Sequence, residues 1–125
     1  MSTPQTTLGE VTTKKYRGVT VHTYNSPEEG LYVASQIVET TEGLVVFDAV
    51  FHTAHAEELA TYIAGLGKPV NRIVLSHIHP DHWSGLGVLH ARFPEAPIQA
   101  FPEITAYVRK NGQKILDARN AAFGP

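Results

Sequence analysis

The chain is predicted to fold as one domain of the α/β class, because several strand-like segments are followed by helix, strand, helix, strand and helix patterns. Its 125 residues are the size of one ordinary domain, and 42% apolar with 18% charged residues is the balance of a globular protein. Residues 1–15 are polar and Thr-rich, so we expect a flexible amino-terminal segment ahead of a domain that spans residues 16–125. No internal repeat, low-complexity tract or linker divides this domain.

Strands are predicted through the amino-terminal part of the domain. Alternation of apolar with polar residues, or a short apolar run between turn-forming residues, is the pattern of a strand. This pattern predicts three strands, at residues 16–24, 31–40 and 44–47. The third is a continuous apolar run that ends at Asp48, as expected of a central strand that is covered on both faces and delivers a carboxylate to its end.

A helix is predicted after these strands, because the period of the apolar residues changes. They recur at i, i+3, i+4 and i+7, at Leu59, Tyr62, Ile63 and Leu66. Such a stripe is typical of a helix that packs on a sheet. Thr53 is a suitable N-cap for this helix, and Gly67 is a suitable stop.

Strands and helices alternate in the second half of the chain. Short strands are predicted at residues 70–75 and 98–101, with a short helix at 84–92 between them. Pro102 suits the first turn of a last helix. Asn111-Gly112 is expected to interrupt that helix, and the following residues are expected to form helix or loop.

Charge and composition exclude several classes of function. A net charge of −2 and a pI near 6.4 leave no broad basic surface, which argues against nucleic acid as the main partner. The apolar runs are too short to span a bilayer, and we see no export or anchoring signal, so a cytoplasmic protein is expected. Without cysteine, any bound metal must be held by imidazole and carboxylate groups.

The residues that carry chemistry are concentrated directly after the predicted strand at 70–75. Three of the seven histidines and an aspartate occupy six positions, His77-Ile78-His79-Pro80-Asp81-His82. In extended backbone, residues two apart point to the same side, so His77 and His79 can converge on one cation. A turn into the next helix can aim Asp81 and His82 at a second point nearby. A solvated histidine-rich turn is the alternative interpretation.

This segment, followed by Trp83-Ser84-Gly85, resembles the H-x-H-x-D-H signature of the metallo-β-lactamase superfamily. The resemblance implies an αββα sandwich in which His77 and His79 bind a first metal and Asp81 and His82 bind a second. Asp48 matches the aspartate that braces the metal loop in that family. The family often has a glycine two positions after this aspartate, where this chain has a valine.

The resemblance covers only part of a complete site. In the family, a third histidine, a bridging carboxylate and a last histidine come from the second half of the domain, and this chain has no histidine after His90. We therefore expect the amino-terminal half of the sandwich, a mixed sheet with helices on its outer face. A second half-domain or a second copy of the chain would complete the fold. A fragment of a longer protein and a natural short protein are both compatible with the sequence.

The expected function is that of a zinc-dependent hydrolase that acts on a small-molecule substrate through a metal-activated water. Asp81 would have a catalytic role as well, because a metal-bound carboxylate can orient the attacking water. One or two zinc ions are expected, with iron or manganese as alternatives. An iron-dependent oxidoreductase on the same fold is a second hypothesis, although diiron relatives usually have glutamate at the position of His79. A non-catalytic metal-binding half-domain is the third.

The histidines outside the motif are expected to have ordinary structural positions. His22 lies in a predicted strand, and His52 and His55 flank the start of the first helix, so we expect all three at the surface. His90 is expected to pack or face solvent. Trp83 could line a substrate pocket or pack in the core.

Overall fold

A computed structural model describes residues 5–123 of the chain. The strands are β1 (Glu10–Tyr16), β2 (Val19–Asn25), β3 (Ala34–Thr40), β4 (Gly43–Phe47), β5 (Val70–Val74) and β6 (Ile98–Gln99). The helices are α1 (Thr53–Gly65), α2 (Pro80–Trp83), α3 (Leu86–Arg92) and α4 (Pro102–Phe123). All six strands form one sheet in chain order, which confirms the predicted α/β class with a mixed sheet.

The direction of the strands decides where their ends meet. Each of the strands β1 to β4 is antiparallel to its neighbour within this group, whereas β5 runs parallel to β4 and β6 runs parallel to β5. Helix α1 connects β4 to β5, and α2 with α3 connects β5 to β6. Because β4 and β5 are parallel, their carboxyl ends lie side by side, and the residues that follow each strand share one edge of the sheet.

One face of the sheet holds the main hydrophobic core. Alternate residues of the central strands are fully buried there, among them Ile37, Leu44, Val46 and Ile73. Helix α1 covers them with one apolar stripe, formed by Ala56, Leu59, Ala60 and Ile63. The alternation follows from the period of two in a strand, and the stripe from the period of 3.6 in a helix. The predicted helical stripe is confirmed.

The opposite face of the sheet carries half-buried apolar side chains beside polar ones such as Gln36 and Arg72. An apolar strip on this face includes the following side chains of β2 to β5, which belong to neither hydrophobic cluster of the described residues: Val21, Val38, Val45, Phe47 and Val74. Strand pairing places them side by side in two rows. The helices that contribute to the main core therefore cover one face of the sheet, as predicted, and the other face presents an apolar strip.

A smaller cluster joins α4 to the segment after β5. Leu75, Trp83 and Ile104 form its buried centre, and Val108 packs against them. Helix α4 runs without a break through Asn111-Gly112, so the predicted interruption is wrong. Gly112 is buried next to Val108 and the Trp83 ring, where the absence of a side chain permits close packing, and this tertiary contact outweighs its poor helix propensity.

The amino-terminal boundary also differs from the sequence expectation. Residues 10–16 form β1 and pair with β2 along its whole length, although we expected a flexible segment up to residue 15. Nearly every residue of β1 is exposed, so the strand has no apolar alternation that a sequence pattern could reveal. Residues 1–4 of the expected flexible segment lie outside the described residues.

The ends of α1 only partly match the prediction. Thr53 is the first helical residue, and His52 occupies the N-cap position without a side-chain capping bond. Gly67 has a φ of 73°, the left-handed conformation expected of a glycine just past a helix. None of the helices within residues 5–123 combines the length and apolar character needed to cross a bilayer.

Two histidines that were expected at the surface are buried. His22 is 3% exposed, with its Nδ1 atom 2.6 Å from the hydroxyl of Tyr62 and its Nε2 atom 2.7 Å from Glu39 Oε1. The hydrogen bond from His22, together with Lys68, lowers the pKa of Glu39. His55 is buried against Gly30, and burial lowers its pKa. Both expectations were wrong, because the burial of a strand or helix residue depends on which elements pack against it, and the local sequence does not show this.

Glu58 on α1 holds the segment that precedes β1. Its carboxylate accepts hydrogen bonds from the backbone N–H groups of Thr7, Leu8 and Gly9 at 2.6 to 2.8 Å, and from the hydroxyl of Tyr24 at 2.8 Å. Burial by itself raises the pKa of Glu58, but these hydrogen bonds outweigh it and lower the pKa below the ordinary 4.5. Burial and the nearby carboxylate raise the pKa of Tyr24, so its hydroxyl stays protonated and donates. The ionised carboxylate therefore stabilises the fold.

We predict that Glu58→Gln lowers the free energy of unfolding by about 1–3 kcal/mol, because an amide cannot accept all of these hydrogen bonds. The pKa of Glu58 is lowered in the folded state, so its contribution is complete above the unfolded value near 4.5 and is lost as the pH falls through the folded pKa. Urea unfolding at several pH values should show the wild type and the variant converging in acid.

The matched control is Glu57→Gln, since Glu57 is exposed and its carboxylate lies 3.4 Å from the guanidinium of Arg92 at the surface. That change should alter stability by less than 0.5 kcal/mol, roughly the effect of a surface substitution. Equal losses in the two variants, or a difference that does not change with pH, would contradict the assigned role of Glu58.

Candidate metal centre

Two loops meet at the carboxyl ends of β4 and β5. The first follows β4 and contains residues 48–52, and the second follows β5 and contains residues 76–85. Backbone hydrogen bonds join them, from Ala49 N–H to the carbonyl of His82 at 2.7 Å and from Gly85 N–H to the carbonyl of Val50 at 3.0 Å. The loop that carries the histidine cluster is therefore held by the loop that carries Asp48.

The close approach of the loops requires a glycine. A Cβ atom at position 85 would lie 2.2 Å from the carbonyl oxygen of Ala49, which is backbone and cannot move aside. On the other loop, Asp48 and Val50 have φ values of 70° and 59° in the left-handed region. Aspartate tolerates this region, but a β-branched valine rarely adopts it. The hydrogen bonds between the two loops hold this strained backbone in place next to the loop of the histidine cluster.

Asp48 is the polar centre of the junction. Its side chain is 7% exposed, and its Oδ1 atom accepts a hydrogen bond from the backbone N–H of Ser76 at 2.8 Å. Its Oδ2 atom accepts one from the Ser76 hydroxyl at 2.5 Å and lies 3.1 Å from Nδ1 of His82. The carboxylate predicted to brace the metal loop thus contacts both ends of that loop.

The other four predicted site residues lie close to one another. Nε2 of His82 is 3.8 Å from Oδ1 of Asp81, so a nitrogen and an oxygen donor are near each other. The centroid of the His77 ring lies 4.5 Å from that of His82 and 6.0 Å from that of His79, and both contacts are stacked. His77 and His79 are exposed, whereas Asp81 and His82 are half-buried.

These residues have the right chemistry for a metal ion but form an incomplete set. Imidazole and carboxylate are the donors that zinc takes in the absence of cysteine. Metal-binding histidines usually donate their other ring nitrogen to a carboxylate, and His82 has Asp48 in that position. Among residues 5–123, however, no three such side chains are arranged to hold one ion. The donors fit part of a site, and a closed site needs at least one more.

Trp83 anchors the loop that carries the histidine cluster. Its indole N–H donates to the carbonyl of Ile78 at 2.7 Å, and its ring is 3% exposed in the smaller core cluster. Pro80 begins α2, where the missing N–H of proline has no helical partner to lose. Of the two roles considered for Trp83, the structure shows packing in the core. This packing anchors the residue that separates His77 from His79.

An apolar groove borders the junction on the half-buried face of the sheet. It has a volume of about 420 Å³, and its walls include Phe47, Val74 and Phe101 with Ser76 at one end. Phe101 is 72% exposed, an unusual position for a large aromatic side chain. The groove shares Phe47 and Val74 with the apolar strip and includes Ser76, the residue before His77.

Sequence analysis missed two residues of this centre. Ser76 lies between an apolar strand and His77. A serine at the end of a strand can donate a hydrogen bond to a residue that follows the neighbouring strand, here Asp48. Gly85 was noted only as part of the motif, although a glycine at the start of a helix often marks a close backbone approach. His90 is exposed on α3, as one of its expected positions allowed.

Solved structures similar to this chain are metallo-β-lactamases. The enzyme FIM-1 from Pseudomonas aeruginosa, described in a mono-zinc form, has 19% identity and a TM-score of 0.64 over 89% of this chain and 50% of its own. The enzyme from Hirschia baltica has 21% identity and a TM-score of 0.65 over 85% and 49%. A motif mutant of the Cronobacter sakazakii enzyme has 23% identity and a TM-score of 0.63 over 86% and 39%.

At these identities the likeness establishes the fold and not the activity. The chain spans about half the length of the first two structures and less of the third. No curated protein matches the chain significantly.

The model of the metallo-beta-lactamase superfamily matches residues 29–119. This range includes β3 to β6, both loops of the junction and the complete histidine motif. By this match, the chain belongs to the metallo-β-lactamase superfamily.

Proposed function

We propose that this chain carries part of the metal site of a zinc-dependent hydrolase. The observation that carries the proposal is the position of His82, with Nδ1 at 3.1 Å from the buried Asp48 carboxylate and Nε2 facing Asp81. Such a carboxylate behind an imidazole orients the opposite nitrogen toward a ligand. Membership of the superfamily supports the same assignment.

The donors divide into two pairs with different surroundings. Asp81 and His82 would hold one zinc ion, and their donor atoms are 3.8 Å apart before any ion is bound. His77 and His79 would hold another, and both are exposed with near-parallel rings. The first pair is preorganised by Asp48, whereas the second has no comparable hydrogen bond among the described residues. Each pair requires at least one further donor to reach the usual coordination of zinc.

Bound zinc would supply a Lewis acid that lowers the pKa of a water, so that this water can attack an ester, amide, thioester or phosphoester at neutral pH. Asp81 is half-buried at the first turn of α2 and is the acidic side chain nearest to His82 after Asp48. Its carboxylate would accept a hydrogen bond from the attacking water and orient it. The substrate would be a small molecule.

The missing donors would come from a second half-domain that covers the apolar strip. The strip of Val21, Val38, Val45, Phe47 and Val74 belongs to neither hydrophobic cluster within residues 5–123, and the groove that it shares includes Ser76, the residue before His77. Similar structures are about twice as long as this chain. A layer packed there would bury the strip and bring further side chains to the metal site. A second copy of the chain could provide such a layer too.

A non-catalytic metal-binding half-domain is the second candidate. It is favoured by one observation, that no three donors converge among residues 5–123. In that case the chain would bind a metal weakly and would not hydrolyse any substrate, even when its partner layer is present. Metal binding and turnover therefore have to be measured separately.

We predict that the double substitution His77→Ala, His79→Ala lowers the bound zinc by at least half. Removal of both imidazoles eliminates one donor pair, while the pair of Asp81 and His82 stays. Elemental analysis after dialysis against zinc measures the stoichiometry and also distinguishes zinc from iron or manganese.

His90→Ala is the control, since His90 is an exposed histidine outside the cluster. His22 would be a poor control because it is buried and hydrogen-bonded. Zinc retained at the wild-type ratio in the double variant, or lost equally in the control, would remove His77 and His79 from the site.

We predict that Asp81→Asn reduces turnover by at least tenfold in a complete form of the enzyme, with a smaller effect on zinc content. Asparagine keeps the shape of the side chain but loses the charge that orients the water. Steady-state rates with lactone, thioester and phosphodiester substrates, compared with metal content, provide the test. Rates that match the wild type would exclude a catalytic role for Asp81.

We also predict that the chain associates through the apolar strip. Soluble monomers rarely expose large contiguous apolar patches, and burial of this strip against another layer would remove its side chains from water. Light scattering after size exclusion should show a dimer or larger species, and Val45→Lys should shift it toward monomer. Ala64→Lys adds the same charge on the exposed side of α1 and serves as control. A monomeric wild-type chain would contradict this prediction.

A further inference from the structure

Ser76 binds Asp48 through two different donors. Its backbone N–H donates to Oδ1 at 2.8 Å, and its hydroxyl donates to Oδ2 at 2.5 Å. Both oxygens of the carboxylate are thus occupied by one residue, which fixes the plane of the carboxylate as well as its position. Ser76 is the residue immediately before His77, so this bond forms at the start of the histidine cluster.

The orientation of the carboxylate decides what His82 meets. Oδ2 of Asp48 lies 3.1 Å from Nδ1 of His82, so the same oxygen serves the Ser76 hydroxyl and the imidazole. An ionised carboxylate can only accept hydrogen bonds. A hydrogen bond between these atoms therefore requires the proton on Nδ1.

The tautomer of His82 has a consequence at its other nitrogen. In a neutral imidazole with the proton on Nδ1, Nε2 carries the free electron pair. Nε2 is the atom that faces Asp81 at 3.8 Å. The atom with the lone pair and the Asp81 carboxylate oxygen are then 3.8 Å apart, close enough for one cation to contact both.

We propose that Ser76 is a positioning residue, which orients Asp48 so that His82 is held as the Nδ1–H tautomer with Nε2 free to bind a cation. The cation-binding part of this statement rests on the proposed function. The tautomer itself does not, because it is argued from hydrogen bonds between the protein groups of Ser76, Asp48 and His82 alone.

The hydroxyl of Ser76 can be removed without opening the junction. Asp48 N–H is bonded to the carbonyl of Val74 at 2.8 Å, and Ala49 N–H is bonded to the carbonyl of His82 at 2.7 Å. These backbone bonds do not involve the Ser76 side chain. A change in His82 after loss of the hydroxyl would thus report on the orientation of Asp48 rather than on unfolding.

The experiment measures the His82 tautomer in the full chain, labelled with ¹⁵N-histidine, free of metal in the presence of a chelator. At pH 8, well above the ordinary histidine pKa of about 6.5, the two ring nitrogens of a neutral imidazole have distinct ¹⁵N shifts. The wild type should show a protonated Nδ1. Ser76→Ala should lose this preference and show averaged shifts, while Ser76→Thr, which keeps the hydroxyl, should retain it.

Ser84→Ala is the matched serine control. Ser84 lies eight residues further along the same loop, and its buried hydroxyl oxygen has no hydrogen-bond partner among the described residues. Its loss should leave the His82 shifts unchanged. Unchanged shifts in Ser76→Ala, or a shift of equal size in Ser84→Ala, would overturn the proposal.

Asp48→Asn provides an independent variant in case Ser76→Ala does not fold. The Ser76 N–H requires the amide oxygen at the Oδ1 position, so the NH₂ group would replace Oδ2 and donate to His82. The proton of His82 should then move to Nε2, and asparagine tolerates the left-handed backbone at this position. A persistent Nδ1–H tautomer in this variant would also overturn the proposal.

Zinc titration of the same samples separates the proposal from the proposed function. Loss of a group that orients a metal-binding histidine typically weakens metal affinity by 10- to 100-fold, and roughly tenfold weaker binding is expected for Ser76→Ala. Zinc binding of equal strength in the wild type and Ser76→Ala would overturn the positioning role. A wild-type chain that binds no zinc but has the Nδ1–H tautomer would contradict the proposed function alone and leave the hydrogen-bond assignment intact.

Discussion

The buried carboxylate of Asp48 is the interaction on which the junction of the two loops depends. A buried charge is costly unless its hydrogen-bonding capacity is met, and here Ser76 and His82 meet it. These partners come from the end of β5 and from α2, so the carboxylate at the end of β4 connects three elements of the fold. Removal of any of the partners would leave the charge less satisfied, which is why the geometry around it is closely constrained.

The mixed topology of the sheet explains why these partners meet. Because β5 is parallel to β4, the chain must cross over through α1, and both strands then end at the same edge. The histidine cluster follows β5 directly and contributes its donors from six consecutive residues. Local donors of this kind can form pairs, but a closed coordination shell needs side chains from a more distant element. This is the physical reason why the donors within residues 5–123 do not form a closed set.

The remaining buried polar groups stabilise the scaffold and are not placed to act on a substrate. His22 lies between the Tyr62 hydroxyl and the Glu39 carboxylate. Such a chain of a hydroxyl, an imidazole and a carboxylate would suit proton transfer if it were exposed to a substrate. Both His22 and Tyr62 are buried, however, so the chain of hydrogen bonds ties α1 to the sheet. Glu58 does the same for the segment before β1. These buried hydrogen bonds thus hold together the elements around the main core, whereas His77 and His79 of the histidine cluster are exposed to solvent.

The amino-acid sequence by itself determined the fold class, the helical stripe of α1 and the family motif from His77 to His82, because periodicity and short motifs are local properties. The tertiary structure alone decided that His22 and His55 are buried, that β1 is a strand and that α4 is continuous. It also decided that Ser76 binds Asp48, 28 residues earlier in the chain. Such contacts depend on which elements pack together, and a local pattern carries no information about a partner that lies far away in sequence.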